Sequence, residues 1–220
     1  MSSETKKRII TSLGLLTLLA GMYFYSYLMI ISLIIISIII WIEFYALISK
    51  IVINNSIKHK LIRFFYKTIS LLYLSGLVYF VISIESHYSH LKIYLFYSIL
   101  VTMLSDIGGF VIGKNFKGKK LTKISPNKTI SGSIGSFIFA LFLIPLFQNK
   151  LIEHNYLSLI LITVILSLTS QLGDLFISFL KRTANVKNTS DILPGHGGFL
   201  DRLDGMIFAI PMGIFLFNYL

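Results

Sequence analysis

The residues best suited to chemistry lie between Gly173 and Asp204, in a segment that reads GDLFISFLKRTANVKNTSDILPGHGGFLDRLD. This segment holds four of the chain's nine acidic residues together with four basic ones. Asp174 lies inside an apolar run, and Asp201 and Asp204 are three residues apart, so on a helix they would share a face. Carboxylates are the ligands that cations such as Mg²⁺ prefer, and lysine and arginine bind phosphate. The segment therefore predicts acidic metal ligands beside a place for phosphate.

A tight glycine-rich turn, residues 194–198, comes just before Asp201. Its glycines allow other groups to approach the backbone closely. His196 either orients a phosphate or a carboxylate, or packs within the turn. Arg202 either pairs with a neighbouring aspartate or clamps a phosphate. The Lys-Arg pair at 181–182 could bind phosphate, but basic residues also stabilise a helix C-terminus and mark the cytoplasmic interface.

A second polar stretch, residues 114–130, is rich in lysine and follows glycines at 108, 109 and 113. Lysine adds positive charge and glycine lets backbone N–H groups approach an anion, so we predict phosphate binding, with Ser131 or Ser133 capping the next helix. The alternative is a basic stretch that only touches anionic headgroups. For Asp106 and Asp174, the alternative to a functional role is a buried ion pair with a lysine, Lys114 or Lys181, and Asp106 fits this alternative more readily.

The composition is that of a membrane protein, because 55% of the 220 residues are hydrophobic, 13% are charged and the mean hydropathy is +0.81. A crossing needs about 20 apolar residues, and in lipid a helix satisfies its own backbone. We predict an all-α, polytopic membrane helical bundle with about seven transmembrane helices. The predicted spans are 9–53, folded as a hairpin that turns near 21–26, then 69–84, 91–112, 133–147, 156–180 and 205–220. We interpret the N-terminal stretch as the first span and not as a signal peptide, since no small-residue cleavage site follows.

The basic residues indicate the orientation of the chain in the membrane. With seven spans, four basic groups fall on one side, at 6–8, 50–67, 114–128 and 181–202, and only Lys92 and Lys150 fall on the other. The positive-inside rule makes the basic side cytoplasmic, so we expect a cytoplasmic N-terminus and both polar segments on that side. The net charge of +11 is explained by topology, and no nucleic-acid partner is expected. The absence of cysteine excludes disulfides and thiolate metal sites.

The chain divides into two parts by sequence. Residues 1–100 hold the N-terminal transmembrane helices, the hairpin and the third span. Residues 101–220 form the predicted catalytic transmembrane region, with the cytoplasmic loop 114–130 and the segment 173–204. In the first part, Glu43 lies near an interface and is either peripheral to the site or snorkelling, so it is left out of the catalytic residues.

The segment from Ser178 to Asp204 closely resembles the signature of the CDP-diacylglycerol synthases, also called phosphatidate cytidylyltransferases. In that pattern a serine precedes a hydrophobic residue and Lys-Arg, followed by Lys, a small residue, a hydrophobic residue, Pro, HGG and D-R-hydrophobic-D. The matching residues are Ser178, Leu180, Lys181, Arg182, Lys187, Ser190, Leu193, Pro194, His196, Gly197, Gly198, Asp201, Arg202, Leu203 and Asp204. The family usually has Asp after the middle Lys, and this chain has Asn188, which accepts a hydrogen bond but carries no charge.

The upstream stretch resembles the same family, which carries S-D, a Gly-rich turn, G-K-x-K-L and I-S-P-x-K-T before a helix. The matching residues are Ser105, Asp106, Gly113, Lys114, Gly118, Lys120, Leu121, Ile124, Ser125, Pro126, Lys128 and Thr129. The resemblance covers roughly the second half of the chain, residues 105–205.

The resemblance implies that CTP and phosphatidate react to give CDP-diacylglycerol and pyrophosphate in phospholipid biosynthesis. It implies Mg²⁺ held by Asp174, Asp201 and Asp204, leaves a second cation open, and adds Lys181 and Arg202 to the catalytic residues. The substrate-binding residues that it implies are Ser125, Lys128, Thr129, Ser178, Arg182, Lys187, His196, Gly197 and Gly198. It further implies an integral protein of the bacterial inner membrane that contacts membrane lipid, faces the cytoplasm with its active site and can form a homodimer.

Three other classes were weighed against this one. An ion-coupled transporter also carries intramembrane acids, but here the acids cluster at one face and no inverted repeat is visible. A CDP-alcohol phosphotransferase needs DGxxAR and later aspartates; Asp204-Gly205 begins that pattern, but nothing continues it. A CTP-dependent polyprenol or dolichol-type lipid kinase is harder to exclude, and the HGG-to-DR segment is what argues against it.

Overall fold

The computed structural model describes residues 3–53, 56–88, 91–151 and 154–219. Among these residues there is no strand, and two isolated bridges pair Lys120 with Thr129 and Leu193 with Gly197. The helices, in chain order, are α1 Ser3–Phe24, α2 Ser26–Ile51, α3 Ile57–His87, α4 Lys92–Phe116, α5 Ile130–Leu141, α6 Ile144–Phe147, α7 Tyr156–Thr183, α8 Leu200–Leu203 and α9 Met206–Tyr219. The all-α prediction is confirmed.

Within the described residues, six helical segments are long and apolar enough to cross a membrane. They are Thr5–Phe24, Ser26–Ile51, Ile57–His87, Lys92–Phe116, Ile130–Phe147 and Tyr156–Thr183. The seventh predicted span forms α9, a shorter helix of 14 residues with Pro211 inside it. The chain is an integral membrane protein built as a bundle of helices.

The first two helices are separated at Tyr25, whose backbone is extended, with φ −122° and ψ 105°. A Cβ atom on Gly21 would lie 2.7 Å from Leu28 Cδ2, so the chain on either side of the break approaches closely. The break falls within the predicted turn at 21–26, and the prediction of two helices in this region is confirmed.

Helix α3 begins well before the predicted third span, at Ile57 instead of residue 69. Hydropathy marks only the apolar part of a helix, whereas the added turns carry Lys58, Lys60 and Arg63. Lysine and arginine are good helix formers, so the helix continues into this basic stretch. The basic residues between 57 and 67 therefore lie on a helix and not in a loop.

The N-cap of α5 is Thr129, whose Oγ1 accepts a hydrogen bond from Gly132 N at 3.1 Å. The prediction that Ser131 or Ser133 caps this helix is wrong. Ser131 Oγ donates to the backbone oxygen of Lys117, and Ser133 Oγ donates to Gln171 Oε1 at 2.6 Å. A threonine one residue before the helix was available, and its extended backbone is what an N-cap requires.

The contacts within the chain define two compact units. The first consists of Met1–His87 and Leu180–Leu203, and the second of Tyr88–Phe179 and Asp204–Leu220. Residues 180–203 thus pack with the N-terminal helices, although the sequence division grouped them with residues 101–220. In the first unit, α2 contacts both α1 and α3, and Trp41 Nε1 donates to the backbone oxygen of Lys67 at 3.2 Å.

The core of the second unit is built from α4, α5, α7 and α9. The rings of Tyr94 and Phe217 stack at 4.4 Å between centroids, and the buried hydroxyl groups of Tyr97 and Thr163 are 2.6 Å apart. Helices α4 and α5 approach closely through glycines: a Cβ atom on Gly108 would lie 2.4 Å from the backbone oxygen of Gly135. Helix packing therefore accounts for these glycines, since small residues let membrane helices come together.

Candidate functional site

The signature loop, residues 184–199, connects α7 to α8 and folds into a tight turn at its end. Leu193 N donates to Gly197 O at 2.8 Å, and His196 N donates to Leu193 O at 2.9 Å. Gly195 and Gly197 have positive φ values of 76° and 84°, a conformation that only glycine adopts without strain. The predicted turn at 194–198 is confirmed, and its glycines are required by the backbone.

Asp201 is held by this loop and by Lys181 within the first unit. Its Oδ1 accepts from Lys181 Nζ at 2.6 Å, while its Oδ2 accepts from Thr189 N at 2.8 Å and from Gly198 N at 3.0 Å. The side chains of Lys181 and Asp201 are 11% and 5% exposed. Burial raises the pKa of the Asp201 carboxyl, but the hydrogen bonds from Lys181, Gly198 and Thr189 together lower it below its usual value. The structure thus brings together three predicted site residues, Lys181, Gly198 and Asp201, and the first two donate hydrogen bonds to the carboxylate of the third.

Two glycines are needed for the close approach of Asp201 and its neighbours. A Cβ atom on Gly197 would lie 2.8 Å from Asp201 Oδ2. A Cβ atom on Gly198 would lie 2.2 Å from Thr189 Oγ1 and 2.5 Å from both carboxylate oxygens of Glu43. The groups that approach these glycines closely are therefore side chains of the protein itself, those of Asp201, Thr189 and Glu43.

Glu43 is the residue that the sequence reasoning missed. It lies on α2, is 2% exposed, and accepts hydrogen bonds from the hydroxyl groups of Thr189 and Ser190 and from the N–H groups of Phe199 and Leu200. It therefore belongs to the structure that holds the signature loop. An acidic residue inside a strongly apolar run was the available signal, because a carboxylate is costly there unless it has partners.

The turn contacts α1 through Pro194 and His196, and Arg202 on α8 holds it from the other side of the chain. Both Nε and Nη2 of Arg202 donate to His196 O, at 2.9 and 2.7 Å, and Ser12 Oγ lies 3.2 Å from His196 Nε2. Thr11 Oγ1 donates to Pro194 O at 3.0 Å. Burial and the positive charge of Arg202 lower the pKa of His196, so its neutral form is favoured. Of the remaining predicted residues in this unit, Arg182 and Lys187 are exposed.

In the second unit, Asp174 on α7 forms an ion pair with Lys128 through Oδ2. Its Oδ1 accepts from Ser178 Oγ at 3.2 Å. The suggested partners Lys114 and Lys181 are therefore wrong for Asp174, because Lys128 takes this place. Both side chains of the pair remain about a quarter exposed, at 28% for Lys128 and 26% for Asp174.

Lys128 is positioned by the folded end of the loop 114–130. Lys128 N donates to Ser125 O at 3.0 Å, and Leu121 N donates to Lys128 O at 2.8 Å. The next residue, Thr129, caps α5 as described above. The structure thus brings four of the predicted residues, Ser125, Lys128, Asp174 and Ser178, into one connected set.

Asp204 also belongs to the second unit, and its side chain is buried. Helix α8 ends at Leu203, so the expectation that Asp201 and Asp204 share a helix face is wrong. Asp204 Oδ1 accepts from Gly205 N at 2.9 Å, a local hydrogen bond that competes with continuation of the helix. A Cβ atom on Gly173 would lie 2.8 Å from Asp204 O, so the backbone of Asp204 packs against α7 next to Asp174.

The carboxylates suit Mg²⁺ in their chemistry. No group of three His, Asp or Glu side chains that could hold a metal ion occurs in the part of the chain that the structure describes. Mg²⁺ usually takes one or two carboxylates together with substrate phosphates, so a full protein cage is not required. Asp201 Oδ2 accepts from Thr189 N and Gly198 N and lies 3.0 Å from Thr189 Oγ1, whose single proton is also within reach of Glu43, whereas Oδ1 accepts only from Lys181 Nζ among the hydrogen bonds found for this side chain. Oδ1 is therefore the Asp201 oxygen that accepts fewer of the hydrogen bonds found.

Comparison with known proteins identifies the family. The model of the cytidylyltransferase family matches residues 1–220. The phosphatidate cytidylyltransferase of Bacillus subtilis (strain 168) is 40% identical over 151 residues, which cover 68% of this chain and 56% of that protein. Those of Staphylococcus haemolyticus (strain JCSC1435) and Staphylococcus aureus (strain COL) are 43% and 44% identical over 122 residues, covering 54% of this chain and 46% of each relative.

The chain thus spans about half the length of these relatives. The match of the family model, in contrast, extends over the whole chain. This chain therefore belongs to the cytidylyltransferase family.

Proposed function

We propose that the chain transfers the cytidylyl group of CTP to phosphatidate, which gives CDP-diacylglycerol and pyrophosphate. The family and the names of its relatives support this reaction. The observation that carries it is the buried pair of Lys181 and Asp201, held by the glycine turn of the signature loop. A fixed ion pair beside exposed basic residues suits a reaction in which charged phosphates must be aligned and neutralised.

In the proposed step, a phosphate oxygen of phosphatidate attacks the α-phosphorus of CTP. The new P–O bond forms as the bond from the α-phosphorus to the oxygen bridging to the β-phosphorus breaks, and pyrophosphate leaves with that bond's electron pair. Lys128, Lys181 and Arg182 would bind phosphate oxygens, with Lys187 and Arg202 assisting. Their role is to position the reactants and to offset the charge that the phosphates bring together.

We include Mg²⁺ in the proposal, with Asp174, Asp201 and Asp204 as the residues that would hold it. When bound, Mg²⁺ supplies neutralisation of the nucleotide phosphates and of the leaving pyrophosphate. Asp174 pairs with Lys128 and Asp201 with Lys181. The lowered pKa of Asp201 favours its ionised form, which is the form that binds a metal.

The test uses the purified chain in mixed micelles with phosphatidate, Mg²⁺ and CTP labelled at either the α- or the γ-phosphorus. Transfer of the α-label to lipid is the expected result, and Asp201→Asn should lower it about 100-fold or more. Glu85→Gln, an acid-to-amide change on α3 away from the signature loop, should keep the activity. Transfer of the γ-label to an added polyprenol, without transfer of the α-label to phosphatidate, would instead establish the kinase.

We further propose that the N-terminus and the site face the cytoplasm in a bacterial inner membrane, as the four basic groups indicate. Because the chain has no cysteine, single cysteines can be introduced at Lys119 and Lys150 and labelled from one side of right-side-out vesicles. An impermeant reagent outside should label position 150 and not position 119. Cross-linking of the same variants in membranes tests the proposed homodimer.

A further inference from the structure

Glu43 has a complete set of hydrogen-bond donors although it lies on a membrane-spanning helix. Its Oε1 accepts from Ser190 Oγ at 2.5 Å and Phe199 N at 3.1 Å. Its Oε2 accepts from Thr189 Oγ1 at 3.0 Å and Leu200 N at 2.7 Å. A carboxylate offers about four acceptor positions, so these four groups can fill them, with the single proton of Thr189 Oγ1 also within reach of Asp201 Oδ2.

Every one of these donors comes from the signature loop or the first residue of α8. The loop is thus fixed to α2 at two places that are far apart along it, at 189–190 and at 199–200. Burying a charged carboxylate is costly unless hydrogen bonds replace its hydration, and two hydroxyl and two N–H donors do so here. The cost of burying Glu43 is therefore offset only while the loop is in place.

The same loop residues hold Asp201. Thr189 Oγ1 lies 3.0 Å from both Glu43 Oε2 and Asp201 Oδ2, so one hydroxyl group stands between the two carboxylates. Thr189 N and Gly198 N donate to Asp201 Oδ2, and the next N–H groups after Gly198 donate to Glu43. A shift of the loop away from Glu43 would therefore move the donors that orient Asp201.

We propose that Glu43 is a positioning residue, which fixes the signature loop so that Asp201 and Lys181 keep the geometry needed for the reaction. Its contribution to activity rests on the proposed cytidylyl transfer, whereas its contribution to loop geometry does not. Glu43 acts through Thr189, Gly198 and Asp201.

The sharpest perturbation is Glu43→Gln, which keeps the size of the side chain. Each carboxylate oxygen faces one backbone N–H group, Phe199 N at Oε1 and Leu200 N at Oε2. The amide NH₂ group must therefore point at an N–H donor whichever way it is turned. One donor is left without an acceptor, which destabilises the loop without creating a cavity.

The matched control is Glu85→Gln, the same chemical change on α3 of the same unit. Glu85 accepts a hydrogen bond from Ser26 Oγ and makes no contact with the signature loop among the hydrogen bonds found. A second variant, Ser190→Ala, removes one donor from Glu43 and leaves α2 unchanged. It keeps the proposal testable if Glu43→Gln fails to insert into the membrane.

Two measurements are made on each variant. Hydrogen exchange of peptides covering residues 189–200 should be faster in Glu43→Gln, less so in Ser190→Ala, and unchanged in Glu85→Gln. The kcat for cytidylyl transfer should fall about 10–100-fold in Glu43→Gln, with a higher Mg²⁺ concentration needed for half-maximal rate and a smaller change in KM for CTP. Glu43→Asp should restore part of the rate, because it keeps the charge.

Three outcomes would overturn the proposal: unchanged exchange in Glu43→Gln, faster exchange with an unchanged rate, or equal effects of Glu43→Gln and Glu85→Gln. If the unmutated chain transfers no cytidylyl group, the proposed function fails, and the exchange measurement still decides whether Glu43 fixes the loop.

Discussion

Breaking the ion pair between Lys181 and Asp201 should destabilise the protein more than breaking the pair between Lys128 and Asp174. The first pair is nearly enclosed, with side chains 11% and 5% exposed, whereas those of the second pair are 28% and 26% exposed. Removing one partner of a buried pair costs about 3–5 kcal/mol, because a charge is left buried without its counterion. Asp201 keeps its backbone donors, so we place the cost of Lys181→Met near about 3 kcal/mol, and that of Lys128→Met at about 1 kcal/mol or less.

The pH dependence of this stability follows from the pKa of Asp201. Burial raises that pKa, but hydrogen bonds from Lys181, Gly198 and Thr189 together lower it in the folded protein. A lowered pKa contributes stability above the unfolded value of 3.8, and this contribution is lost as the pH falls through the folded value. At pH 7 the contribution is fully present. Lys181→Met removes the strongest cause of the lowering and leaves burial, which raises the pKa.

The assay is a double-mutant cycle of Lys181→Met and Asp201→Asn, compared with Lys128→Met and Asp174→Asn. Unfolding by SDS in mixed micelles at pH 7, with EDTA present, gives the free energy of unfolding for each variant. The coupling energy of the Lys181–Asp201 pair should exceed that of Lys128–Asp174 by about 2 kcal/mol. Equal coupling energies would refute the argument from burial.

Two further changes test the signature loop. Gly198→Ala should lower stability by about 1–3 kcal/mol, because its Cβ atom would lie 2.2 Å from Thr189 Oγ1. Gly76→Ala is the control and should not lower stability, since nothing lies within 4 Å of its Cβ position. Thermal unfolding in detergent measures both. An unaffected Gly198→Ala protein would contradict the close packing. The pKa of His196 is lowered in the folded chain, so near and below the unfolded pKa of 6.5 the unfolded chain binds more protons, and stability falls as the pH is lowered through that range. Wild-type protein should therefore lose more stability between pH 7.5 and pH 5.5 than His196→Gln, and parallel losses would show that His196 does not contribute.

The sequence was sufficient for the helical architecture and for the glycine turn of the signature loop. In lipid a helix satisfies its own backbone hydrogen bonds, so the apolar runs could be predicted to be helical. The run 9–53 is too long for one crossing, so a break within it could be predicted as well. The turn at Gly195 and Gly197 was also predictable, because closely spaced glycines are a local sequence signal for a tight turn. Hydropathy failed at α3, because its first turns are helical but basic.

Contacts between distant residues were not predictable in this way. The partner of Asp174 is Lys128, 46 positions earlier by the difference of their numbers, whereas the sequence suggested Lys114 or Lys181. Asp201 and Asp204 were expected on one helix face, but α8 ends at Leu203. Asp204 lies beyond the helix, where its Oδ1 accepts a hydrogen bond from Gly205 N. Nothing in the sequence indicated that Glu43 contacts the signature loop, because its four hydrogen-bond partners lie 146 to 157 residues later in the chain.

The sequence by itself determined that this is a helical membrane protein with the acidic and glycine-rich segment of a cytidylyltransferase, because periodicity, hydropathy and local turn chemistry act over short distances. Only the tertiary structure decided which charged groups pair and that Glu43 holds the signature loop. The reason is that the hydrogen-bond donors of a buried carboxylate can come from any segment that the fold brings near it, and spacing along the sequence does not indicate which segment that is.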